Sequence, residues 1–242
     1  ASGDETWRSL SALDFHYFTQ PLPNPIAWFA HQLPAWIDHT SVFLMFAIQL
    51  ILPFFIFAPR RLRFFAAGCF IFLELLIGLT GNYTFFNLLT IGLILLLFDD
   101  QFFRAEFVLR PKQPHTHTQT KEQRWIPRVL AALVIVLFIF QTPTPFRLVN
   151  TYGLFAVMTT TRNEIVMEGS MDGQVWKAYE FNDKPGDVAR RPPFVAPHQP
   201  RLDWQMWFAA LSSPKTNPWF LSFTRRMLEG SPDVLTLLAS DP

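Results

Sequence analysis

The chain is short of charge and nearly devoid of cysteine. Charged residues make up 16% of its 242 positions, while half of them are hydrophobic; a soluble domain usually carries about a quarter charged. The shortage excludes disorder and disfavours a wholly soluble protein. Twenty Lys and Arg offset nineteen Asp and Glu, and a formal charge of +1 leaves no electrostatic footprint for nucleic acid or a polyanionic substrate. The single cysteine, Cys69, sits inside an apolar run. An intrachain disulfide, a thiolate zinc site and a CxxC redox pair are therefore all excluded. No basic stretch followed by an apolar core opens the chain, so no signal peptide is visible. The start at Ala1-Ser2-Gly3-Asp4 is expected to belong to a mature or truncated piece of something longer.

What is abundant is aromatic and apolar, with 27 phenylalanines. Four apolar segments stand out, at about 35–58, 62–79, 83–98 and 126–140. A bilayer core needs about 20 apolar residues per helix; the first two segments meet that and the last two are short. Segments 62–79 and 83–98 are apolar all round, with Glu74 the only charge beyond Arg63 at the start, whereas a soluble helix keeps a polar stripe. Pro53 is expected to kink the first segment, since proline removes a backbone donor. The expected architecture is a membrane α-helical bundle of about four spans, followed by a small α+β extramembrane domain with a β-hairpin. Its parts are a Trp-rich interfacial stretch (1–40), a transmembrane region (41–140) with a cytoplasmic loop at 99–125, and a lumenal or periplasmic domain (141–242).

Loop charge sets the expected orientation. Arg60, Arg61 and Arg63 join the first two segments, and residues 99–125 together with Arg128 carry six cations, whereas residues 1–40 carry one, Arg8. The positive-inside rule puts both basic loops in the cytoplasm and both chain ends opposite. In the amino-terminal stretch, Asn24-Pro25 reads as the cap and first turn of a helix over 25–33. Trp28, Phe29 and Trp36 would then lie at headgroup depth.

Beyond residue 141 the pattern changes. Residues 164–181 read as a hairpin around Gly169-Ser170-Met171-Asp172-Gly173, a turn also found in extracellular carbohydrate modules. Pro185, Pro192, Pro193, Pro197 and Pro200 mark extended chain. Helices are expected over 201–211, 218–229 and 232–239, the second amphipathic through Trp219, Phe220, Phe223 and Met227.

Several blocks resemble the lipase maturation factor family. They are Thr6-Trp7-Arg8, His16-Tyr17-Phe18-Thr19-Gln20-Pro21-Leu22-Pro23, His31-Gln32-Leu33-Pro34-Ala35-Trp36, residues 79–87 around Gly81-Asn82-Tyr83-Thr84, residues 152–159, and the long run from Arg191-Pro192-Pro193-Phe194 through Arg201-Leu202-Asp203-Trp204-Gln205-Met206-Trp207-Phe208. The resemblance implies the carboxy-terminal part of a multipass protein whose members carry more helices upstream. It implies residence in the endoplasmic reticulum membrane in animals, or the inner membrane for the bacterial source that compact loops suggest here. It further implies an exported tail that assists folding and assembly of secreted lipases. The expected partners are a lipase-like exported client and the bilayer, with no nucleic acid.

Ser170 lacks a Gly-x-Ser-x-Gly elbow, and no carboxylate completes a metal site with His115 and His117; no catalytic residue, metal or cofactor is expected. Glu74 in hydrocarbon should find a polar neighbour, with Gln49, Asn82 and Asn87 as candidates. Pro197, His198, Arg201, Asp203, Trp204, Gln205, Trp207 and Phe208 form the expected client contact, because Trp and Arg dominate binding hot spots. The rival expectation is a membrane-embedded enzyme of vitamin-K-dependent-carboxylase-like architecture working at Glu74, His16 or His31. A weaker one is a carbohydrate module centred on Trp176.

Overall fold

The computed structural model describes residues 3–106, 153 and 155–240. The chain divides into two units, one of Gly3–Asp99 with Met158–Pro242 and one of Ala1–Ser2 with Asp100–Val157. In the second, the only described helix is α7 (Asp100–Glu106). The expected fourth segment, 126–140, lies outside the described residues, as do most of the 99–125 loop and the histidines at 115 and 117.

The larger unit opens with α1 (Glu5–Arg8), capped by the Asp4 carboxylate, which accepts from the backbone N–H of Thr6 at 3.0 Å. Then come α2 (Ala12–Thr19) and α3 (Pro25–His31). Asn24 caps α3 as its sequence predicts, its Oδ1 accepting from Ala27 N at 2.8 Å, although the helix stops at His31. Helix α4 (Ala35–Leu50) leads into a 3₁₀ stretch, Leu52–Phe57. Pro53 lies where the α-helical ladder gives way, because it has no N–H to continue it. Helix α5 (Arg60–Thr80) runs back, and α6 (Phe86–Ile94) continues as a 3₁₀ turn, Leu95–Leu97.

Two helical stretches, Ala35–Phe57 and Arg60–Thr80, are long and apolar enough to cross a membrane, while the third, Phe86–Leu97, is short. Only 6% and 11% of the apolar windows in the first two are buried. A core helix of a soluble protein would be mostly covered, so these surfaces are left for lipid. Apart from Asp38 in the first turn of α4, what these two helices bury is small or β-branched, namely Val42, Ala66 and Ala67, which lets backbones approach closely. The count of about four spans thus reduces to two clear ones and a short third among the described residues.

The carboxy-terminal part of this unit pairs β1 (Met167–Gly169) with β2 (Lys177–Tyr179) in an antiparallel hairpin, Met167 opposite Tyr179. Its turn is held by Asp172, whose Oδ1 accepts from Gln174 N and Val175 N at 2.8 and 2.9 Å. Gly173 supplies the positive φ of 70° there. After the proline-rich stretch come α8 (Arg201–Ala210), α9 (Pro218–Leu228) and α10 (Pro232–Leu235). The last is shorter than the predicted 232–239 because Leu238 turns back to bridge Phe181. Phe181, Met206, Phe223, Met227 and Leu238 form the buried cluster, and Trp219 and Phe220 pack against it. The amphipathic reading of α9 therefore holds.

Candidate functional site

The family-resembling blocks converge on one short piece of chain, residues 18–22. Phe18 and Thr19 end α2, and prolines at 21, 23 and 25 keep the chain after them out of a helix, so these carbonyls need partners from elsewhere. All five find one. The Arg162 guanidinium donates to the carbonyls of Phe18, Gln20 and Pro21. The indole N–H of Trp207 donates to Thr19 O at 2.8 Å, and Asn82 Nδ2 donates to Leu22 O at 3.1 Å. The same piece caps the end of α5: Gln20 Nε2 donates to Thr80 O at 2.9 Å and Asn24 Nδ2 to Leu79 O at 3.0 Å. Helix-terminal carbonyls that would be orphaned are thereby satisfied.

Asn82 is saturated. It also donates to Pro193 O at 3.1 Å, and its Oδ1 accepts from Val195 N at 2.9 Å and Ala196 N at 3.2 Å. One buried amide thus ties the α5–α6 turn to the amino-terminal stretch and to the 193–196 segment. With its amide so engaged, the Asn82-Tyr83-Thr84 sequon offers no free nitrogen for a glycan. Its neighbour Gly81 must stay a glycine, since a Cβ there would come 2.7 Å from Gln20 Oε1 and strike the Tyr83 ring.

Behind the carbonyls lies a charge cluster. Arg162 Nε donates to Glu164 at 2.7 Å, and Lys184 Nζ reaches the other Glu164 oxygen at 2.8 Å. Burial lowers the Arg162 pKa despite the adjacent carboxylate, which marks how little water reaches it. Asp203 is buried and accepts from the backbone N–H of Asp183 and Lys184 at 2.9 and 2.8 Å. On α2, His16 Nε2 lies 2.8 Å from Tyr83 Oη, and desolvation pushes its pKa from 6.5 to about 4. Between pH 6.5 and 4 the unfolded chain binds the proton that the folded chain refuses, so stability falls as pH drops through that window. Replacing His16 by Gln is expected to flatten the acid limb of a thermal-melt pH series between pH 6.5 and 4; an unchanged slope would assign it to other groups.

The sequence-predicted residues separate into distinct roles. Trp204 and Trp207 are 8% and 4% exposed, and Asp203 is buried as well. These three side chains pack into the fold, unlike the rest of the expected contact residues. The remaining members stay accessible. Arg201, Gln205 and Phe208 follow i, i+4, i+7 spacing and share one strip of α8. Arg201 and Gln205, with His198, line an open groove of about 620 Å³ whose far wall is Trp219, Ser222 and Arg226 of α9. Pro197 is exposed on the approach to α8. Among the intramembrane polar residues, Asn87 Nδ2 donates to Glu74 Oε2 at 2.8 Å, Gln49 is exposed, and Asn82 bonds elsewhere. Glu74 does not line this groove. Sequence reasoning missed Arg162, Glu164 and Lys184; the only local signal was Arg162 two residues before Glu164 in otherwise uncharged chain.

Comparison with known proteins matches residues 1–105 to the lipase maturation factor transmembrane domain and residues 148–242 to the lipase maturation factor C-terminal domain. Lipase maturation factor 2 of Gallus gallus is 33% identical over an alignment of 352 residues, which covers 98% of this chain and 49% of that protein. Lipase maturation factor 1 of Bos taurus is 34% identical over 276 residues, covering 99% and 49%. Lipase maturation factor 2 of Homo sapiens is 32% identical over 350 residues, covering 97% and 49%. The chain spans about half the length of the curated relatives it matches. No solved structure matches it.

Proposed function

For a chain that belongs to the lipase maturation factor family, we propose a role in the maturation of secreted lipases exercised by non-covalent binding of client surface. The observation that carries this reading is the open groove between the 198–205 segment and α9. It combines cations (Arg201, Arg226), an imidazole (His198), an amide (Gln205) and an aromatic wall (Trp219). Such a surface can hold partly folded polypeptide through its backbone and apolar side chains, and it releases the client once the client's own interface forms. Phe208, at the end of the same α8 strip, extends the contact.

The proposed setting is a membrane, with the groove on the non-cytoplasmic side: the lumen of the endoplasmic reticulum or the periplasm. The carbonyl junction at residues 18–22 and the α5–α6 turn gather at one end of α5. Arg60 pairs with Asp99 at 2.6 Å at the other end, beside Arg61 and Arg63. The groove-bearing segment joins the first end, and positive charge in the 60–63 loop favours the cytoplasm for the second. This arrangement supports an exported tail that belongs structurally to the amino-terminal stretch.

Reversing the groove's charge with Arg201→Glu and Arg226→Glu tests the reading. Both residues are exposed, so the fold should survive. The yield of active secreted lipase is expected to fall about fivefold at unchanged chain level, the scale on which rim charges alter association. Unchanged yield would remove the groove as the contact. Alanine at Trp204 or Trp207 would report folding instead.

A further inference from the structure

A second cavity, of about 230 Å³, is lined by other residues of the larger unit and shares only Asp183 with the groove. One wall comes from Tyr17 and Phe18 of α2 and from Ala27, Trp28 and His31 of α3. The other is the proline-rich segment that carries Arg190 and Arg191. The groove residues 198–226 take no part in it.

Its position is the first argument. Helix α3 directly precedes α4, the first helix long enough to cross a bilayer. The outward face of this approach is apolar and bare, with Trp28 59% and Trp36 68% exposed, and Phe29 and Leu33 exposed between them. Amphipathic rings so placed lie at headgroup depth, and Trp28 belongs both to that face and to the cavity wall. The mouth of the cavity therefore opens among lipid headgroups.

Its chemistry is the second. Arg162 and Lys184 line the cavity but are committed to Glu164. Arg190 gives two N–H groups to the carbonyls of Phe181 and Asn182 and keeps the rest. Arg191 is exposed, and among the described residues it has no hydrogen-bond or ion-pair partner. Pro192 and Pro193 follow it without backbone N–H groups, so at this end of the wall the charged donors are the arginine side chains. A guanidinium fork fits two oxygens of a phosphate. Asp183 and Asp187 also line the cavity, so only its Arg190–Arg191 side suits an anion; Tyr17, Phe18, Trp28 and Val188 supply an apolar part that would do nothing for a free inorganic anion.

We infer that this cavity receives the phosphodiester headgroup of a membrane phospholipid, held by Arg191 and Arg190 with Trp28 beside the first acyl carbons. The inference needs the bilayer placement of α3 and α4 but not the client groove, so either reading can fail alone. The test is native mass spectrometry of the full chain released from detergent micelles and titrated with dioleoylphosphatidylglycerol. One saturable lipid adduct is expected. Arg191→Glu should weaken it about tenfold, the loss of one charge-assisted hydrogen bond, and Arg191→Lys should recover part of that. Dioleoylglycerol, which lacks the phosphate, should bind at least about tenfold more weakly. Equal binding by the Arg191→Glu variant, or by dioleoylglycerol, would overturn the inference. Displacement of the lipid by inorganic phosphate at equal concentration would do so too, by making the occupant a free anion.

Discussion

Alanine in place of Asn82 is expected to lower the thermal midpoint of the chain in detergent by more than any surface substitution, and to expose the 193–196 segment to protease. The amide makes four hydrogen bonds from a buried position, to Leu22 O, Pro193 O, Val195 N and Ala196 N. Each partner left buried and unmade costs about 1–3 kcal/mol. Water entering the vacated space would recover part of that, so a net loss of about 3–4 kcal/mol is the reasonable scale. Asn82→Asp separates the two halves of the role. The shape and both acceptor bonds survive, but a carboxylate now faces the carbonyls of Leu22 and Pro193 that formerly received N–H groups. This variant should be nearly as unstable as the alanine at neutral pH and should regain stability as acid protonates it, opposite in sign to the His16 effect. A melt and digestion pattern indistinguishable from the parent in both variants would mean that the turn is held by other contacts.

The elements were legible in the sequence because their causes are local. Asn24-Pro25 caps α3 since an amide oxygen and a fixed φ act over three residues, and Asp172-Gly173 turns the hairpin for the same kind of reason. The apolar windows of α4 and α5 needed only counting. The junction was not legible because its causes are remote: Arg162 meets Pro21 across 141 positions, and Trp207 meets Thr19 across 188. Nothing near Arg162 announces that its partners will be main-chain carbonyls. The aromatic density of α8 was visible but ambiguous. At about 100° per residue, Asp203, Trp204, Met206 and Trp207 occupy a broad arc. Met206 enters the cluster with Phe223 while Trp207 reaches Thr19. A helix covered on two sides shows only the strip of Arg201, Gln205 and Phe208, which no periodicity could choose in advance. The resemblance blocks had marked both partners of the Trp207–Thr19, Asn82–Leu22 and Gln20–Thr80 contacts, but not Arg162, and only the fold showed which residues were partners.

Arg162 carries the other large effect, and its sign pattern distinguishes two explanations. If Arg162 served chiefly as the counterion of Glu164, then Arg162→Met would leave a carboxylate short of charge, and adding Glu164→Gln would restore balance and stability. The geometry says otherwise. Glu164 keeps Lys184 at 2.8 Å after the arginine is gone, so the pair remains neutral. What is lost is the clamp on the carbonyls of Phe18, Gln20 and Pro21. The single variant is therefore expected to cost about 3–5 kcal/mol, the range for breaking a buried charged network. The double variant should be no more stable than the single, and less so to the extent that Lys184 is now the unpaired ion. Arg162→Lys should rescue little, because one ammonium cannot span three carbonyls and a carboxylate in the fork that the guanidinium provides. Thermal melts of the four proteins, the parent and three variants, read this directly. Recovery in the double variant would make the cluster an ordinary ion pair and leave residues 18–22 to be held by Trp207 and Asn82 alone.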